Sequence, residues 1–62
     1  MGGQVQVGLT EQAYRVRTMA ERIALEVRIE AAKKSPDAKT RADAESAARV
    51  LMTWEAGLPP AR

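Results

Sequence analysis

From Glu11 to Lys34 the chain contains neither glycine nor proline, and Ala, Glu, Arg, Leu and Lys dominate the run. Nothing in it ends a helix, so the simplest expectation is a single helix of about 24 residues and ~36 Å. Thr10 stands before it as an N-cap, and Glu11 puts a carboxylate at the positive end of the helix dipole. Leu9 and Tyr14 have the spacing of a hydrophobic staple, and Lys33 and Lys34 suit the C-terminal end. Ser35-Pro36-Asp37 then reads as an N-cap, a first-position proline and an early carboxylate, opening a second helix after almost no linker. That helix is expected to reach about Ala56, with Gly57 as its left-handed cap and Pro59-Pro60 preventing continuation. The expected fold is therefore all-α: an antiparallel two-helix hairpin, helices about 11–34 and 36–56, behind a short extended N-terminal segment.

Composition narrows the chemistry. The 62 residues include no cysteine and no histidine, which excludes disulfides, thiolate or imidazole metal sites and the common nucleophile systems. Phe is absent, with one Tyr and one Trp, so the core must be aliphatic and alanine-based, as in helix-on-helix packing. A 45% hydrophobic, 29% charged chain is globular in character, and no apolar run is long enough for a membrane span or a secretory signal. These features lead to the expectation of a cytoplasmic protein with no catalytic residues, no cofactor, no metal and no membrane partner.

The helix faces suggest how such a small core closes. On helix two, Thr40, Ala44, Ala47, Leu51, Trp54 and Leu58 alternate steps of four and three, forming a seam. Helix one offers Ala13, Val16, Ala20, Ile23, Val27 and Ala31 as the facing seam, a register that sets Trp54 near Val16. Roughly opposite lies a second stripe, Tyr14, Thr18, Leu25, Ile29 and Ala32, for which 62 residues provide no further cover. That stripe is the expected partner interface, either between two hairpins in a four-helix homodimer or against a larger protein. The alternative is that Leu25 and Ile29 are ordinary exposed aliphatics.

The charges have mostly internal explanations. Asp37, Arg41, Glu45 and Arg49 form an i,i+4 ladder, and Glu30 with Lys34 and Glu11 with Arg15 are further pairs of that spacing. Glu26 and Glu30 imitate a general acid and base, but nothing in the pattern raises one pKa or supplies a pocket. Arg15, Arg17, Arg22, Arg28, Lys33 and Lys34 make the first helix the more basic one, although the net charge is only +2 and glutamates are interleaved.

Residues 1–9 stand apart from the helical region 10–62. Gln4-Val5-Gln6-Val7, bracketed by glycines, alternates with the period of a strand. It either pairs with the same segment of a second chain or is a mobile tail. With Leu9-Thr10-Glu11 and the following Met19-Ala20-Glu21, this opening resembles the ribbon-helix-helix family of dimeric DNA-binding repressors and antitoxins, over residues 4 to about 25. The resemblance implies that Gln4 and Gln6 read base edges from the major groove while Val5, Val7 and Leu9 face the core. It also implies a phosphate held at Ser35, at the start of helix two. The first helix is about twice the family's length, and the family's glycine-containing turn is missing. The expected function is therefore a non-enzymatic interaction or adaptor protein, acting as a homo-oligomer or docked on a larger protein. A DNA-binding repressor or antitoxin is the alternative.

Overall fold

The long glycine-free run does not form one helix. The computed structural model describes residues 8–55, in which the chain makes three helices: α1 (Leu9–Arg15), α2 (Met19–Lys33) and α3 (Ala38–Met52). The all-helical class holds, but the two-helix hairpin with helices 11–34 and 36–56 is corrected to three helices. Residues 4–7, Gly57, Leu58, Pro59 and Pro60 lie outside the described residues.

The break falls where a better helix start competes with continuation. Thr18 and Glu21 form a capping box: the Thr18 hydroxyl accepts from the Glu21 amide at 3.1 Å, and the Glu21 carboxylate accepts from the Thr18 amide at 3.0 Å. The same carboxylate also accepts from the Arg17 amide at 2.9 Å. These backbone hydrogen bonds, from Arg17 first and then Thr18, hold the Glu21 carboxyl below its ordinary pKa. Two of the carbonyls released at the break also find donors. The Arg17 guanidinium donates to the Tyr14 and Val16 carbonyls at 3.2 Å each, and the Trp54 indole donates to the Val16 carbonyl at 3.0 Å. These bonds offset part of what ending the helix at Arg15 costs.

A seven-residue α1 then needs its own cap, and Thr10 does not serve as one. The N-cap is Gly8, which has no side chain to offer. Asp43 supplies the missing acceptor from the middle of α3. Its carboxylate accepts from the Leu9 amide at 2.7 Å and the Thr10 amide at 3.2 Å, while the Thr10 hydroxyl donates to it at 2.7 Å. Burial pushes the Asp43 carboxyl up, but the hydrogen bonds from the Thr10 side chain and the Leu9 and Thr10 amides together outweigh it and hold the group below 3.8. Gly8 leaves the Asp43 carboxylate room: a Cβ there would stand 3.3 Å from one of its oxygens, a tight contact that the side chain would have to yield to.

Helix α3 is the shared wall, packing against both α1 and α2, which touch each other less. Its buried residues are Ala44, Ala47, Val50 and Leu51, with Trp54 just beyond its end. Ala13, Ala44 and Ala47 have no exposed surface, so small side chains let the helices approach closely. The expected neighbourhood of Trp54 and Val16 is realised, through the indole bond to the Val16 carbonyl. Val50 joins the expected seam because α3 serves two neighbours rather than one.

The turn into α3 is also corrected by one cap. Asp37, rather than Ser35, is the N-cap: its carboxylate accepts from the Thr40 hydroxyl at 2.7 Å and the Thr40 amide at 3.0 Å, which lowers its pKa. Ser35 closes the turn instead, its hydroxyl accepting from the Asp37 amide and its carbonyl from Arg41 at 2.7 Å. Asp37 is thus a cap before it is a rung of a charge ladder. Of the expected pairs, Glu11–Arg15 forms at 3.4 Å, while Glu30 is met by Lys33 at 3.5 Å rather than by Lys34.

Two outcomes follow for stability. Trp54→Ala removes a 5%-exposed ring and its bond to Val16, and should cost about 3 to 5 kcal/mol in urea unfolding. Asp43→Asn keeps one acceptor oxygen but not the charge, and should cost about 1 kcal/mol or more near neutral pH. Because the folded Asp43 pKa is lowered, its contribution is present above the unfolded value and is lost as pH falls through the folded one. The difference between wild type and Asp43→Asn in urea titrations should accordingly be full at about pH 6 and shrink below about pH 4.

Candidate interaction surface

Helix α2 has two apolar stripes, and the break decides which one turns inward. In a straight helix, Ala13 and Val16 would carry Ile23 and Val27 inward with them. With α1 and α2 separated, α2 is free to rotate about its own axis. Leu25 and Ile29 then enter the core at 4% and 3% exposure, and Ala32 packs against that core. The expected partner stripe is thereby corrected: Leu25 and Ile29 are buried in the chain's own core. Tyr14 is also partly buried against the core, and Thr18 is exposed as the cap of α2.

The residues expected to face inward are left outside. Met19, Ile23 and Val27, spaced one turn apart along α2, are 50%, 54% and 67% exposed. Ala20, Ala24 and Ala31 are exposed alongside them, so α2 presents a ridge of larger side chains beside a low alanine row. Ala20, Ile23, Val27 and Ala31 would belong to the internal seam only in one unbroken helix, and the break between α1 and α2 places them outside it.

Two open grooves border this helix. One, between α1 and α2, has about 280 Å³ of space and is lined by Val16, Ala24 and Leu25 with Gln12, Arg15 and Arg28. The other, between α2 and α3, has about 310 Å³ and is lined by Ile29, Ala48, Leu51 and Met52 among charged residues. Met52 is 82% exposed at its rim.

Most of the basic residues of this region are engaged within the chain. Arg22 lies over the Trp54 ring, 5.3 Å from its centroid, and pairs with Glu26 at 3.0 Å. Arg15 meets Glu11, Lys33 meets Glu30, Arg17 binds the carbonyls at the helix break, and Arg28 donates to the Gln12 side chain. The α3 N-terminus, where the family resemblance places a phosphate, already holds the Asp37 carboxylate. Gln4 and Gln6 lie outside the described residues. Among the described residues no group of three or more potential metal-ligating side chains occurs, and no helix is long and apolar enough to cross a membrane.

No protein-family model matches this sequence, and neither a curated protein nor a solved structure matches it significantly.

The two stripes of α2 should respond oppositely to a buried charge. Leu25→Glu or Ile29→Glu forces a carboxylate into the core and should cost about 4 kcal/mol or more, enough to unfold the chain. Ile23→Glu and Val27→Glu should leave the melting curve nearly unchanged, within about 0.5 kcal/mol in dilute solution. Circular dichroism melts of the four variants at low micromolar concentration distinguish the stripes.

Proposed function

We propose that this chain acts by binding, as a small helical interaction module whose contact surface is the outer face of α2. In this reading α2 and α3 form an antiparallel pair onto which α1 folds, and the pair holds the contact face rigid. The observation that supports it is the alignment of Met19, Ile23 and Val27, all at least half exposed, on one face of a helix whose other large apolar residues are buried. Single exposed aliphatics are common on natural surfaces, but three in line beside alanines make a contiguous apolar patch of the kind that marks interaction sites. Because α2 is capped and already folded, binding through this face loses little conformational freedom.

The test compares immobilised wild type with the Ile23→Glu, Val27→Glu double variant. Material retained from a lysate of the source cells, including further copies of the chain, should be held by wild type and lost from the variant, as quantified by mass spectrometry. Equal retention by both would sink the reading. Anisotropy with random duplex DNA at two salt concentrations should show no salt-sensitive binding. Tight, salt-sensitive duplex binding that survives in the variant would favour the ribbon-helix-helix alternative.

A further inference from the structure

The joint between α1 and α2 consists of Val16, Arg17 and Thr18, with no glycine or proline among them. Apart from the Trp54 indole, the side chains that hold it bent come from within a few residues. Glu21 accepts from the Arg17 and Thr18 amides, the Thr18 hydroxyl accepts from the Glu21 amide, and the Arg17 guanidinium reaches back to the Tyr14 and Val16 carbonyls. Were the joint to turn helical, each of these backbone groups would find its partner four residues along the chain instead. Bent and straight forms thus exchange one set of hydrogen bonds for another.

A straight joint cannot keep α1 on its own α3. On one continuous helix, the midline of Ala13 and Val16 and that of Leu25 and Ile29 would lie about 170° apart. In the bent chain all four belong to a single core. Straightened, with α2 still docked, α1 would leave its place on α3 and face the other way. The segment that fits the place so opened is α1 itself. A second straightened copy brings the same Leu9 and Thr10 amides to Asp43 and the same Val16 carbonyl to Trp54. The exchange is reciprocal and closes with two chains, and the two cores stand on opposite sides of each long helix.

We propose that residues 16–18 are a hinge, and that two copies of the chain dimerise by exchanging α1. In the dimer residues 9 to 33 of each copy form one helix, and each α1 is seated on the other copy's α3. The surface used is the α1–α3 contact that the single chain already makes, so nothing here rests on the outer face of α2. Because that contact is common to both forms, the hinge and the chain concentration set the balance between them.

Two substitutions bias the hinge in opposite directions. Thr18→Ala removes the cap of α2 and supplies the best helix former, and should raise the dimer fraction several-fold over wild type in sedimentation equilibrium at up to about 1 mM. Met19→Pro places proline at the first position of α2, after a Thr18 whose backbone is already extended at φ −128° and ψ 158°. In a straight helix that ring would clash with the Arg15 carbonyl and lack the amide that bonds to it. Met19→Pro should therefore keep wild-type helicity and remain a single chain. Spin labels on Gln12→Cys, Arg28→Cys, in a chain with no other cysteine, read the geometry. Arg28 donates to Gln12 across the bend, whereas a straight helix sets the two positions about 24 Å apart. Labelled chain diluted into excess unlabelled chain, both carrying Thr18→Ala, should show the long distance in the dimer, and on the Met19→Pro background only the short one. A dimer that keeps the short distance would overturn the exchange. So would a single-chain mass for both wild type and Thr18→Ala, or a Met19→Pro variant that dimerises as readily as wild type.

Discussion

A helix of seven residues is far below the length that sustains itself in water, so α1 depends on the carboxylate that Asp43 extends to its first turn. Once Leu9 and Thr10 are held there, α1 lies along α3 and the alanine surfaces of the two close together. That placement sets the Val16 carbonyl against the indole of Trp54, which seals the far end of the same contact. The capping aspartate is thus contributed by a residue 34 positions away, and the bare backbone of Gly8 leaves it room. A local function in most helices has here become a tertiary one.

Much of this was legible in the sequence where one element could be read at a time. The helical class, the sharp turn near Pro36, the alanine-rich seam of the last helix and the meeting of Trp54 with Val16 all follow from spacing and composition. The break at residues 16–18 did not, although its signal was present: Thr18-Met19-Ala20-Glu21 has the pattern of a capping box. A gap in glycine and proline argues only that nothing forces a helix to end. Whether it ends also depends on what receives the released backbone groups: Arg17 and Glu21 do so locally, but the Trp54 indole comes from 38 residues away and reaches the Val16 carbonyl only in the folded chain. Thr10 is not the cap that its position suggests for a related reason, since its hydroxyl donates to a carboxylate that no local window contains.

That one break also decides which stripe of α2 is buried. The two faces of α2 carry similar apolar content, and a helical wheel cannot say which one is buried. Continuity with Ala13 and Val16 would turn Ile23 and Val27 inward, and the interruption between α1 and α2 removes that continuity. The side of α2 bearing Leu25 and Ile29, flanked by Ala32 and by the long stem of Arg22 over Trp54, is the one that α3 covers. What remains outside on α2 is the row of Met19, Ile23 and Val27.

The Asp43 clasp also changes which part of the molecule loosens first. The leading amides of a helix ordinarily fray, because they have no partner within the helix and exchange readily with solvent. Here the Leu9 and Thr10 amides are bonded to α3, so neither can open while the two helices remain docked. Hydrogen exchange at the start of α1 therefore reports the separation of α1 from α3 as a unit. The two amides at the tip of the shortest helix become the gauge of tertiary integrity.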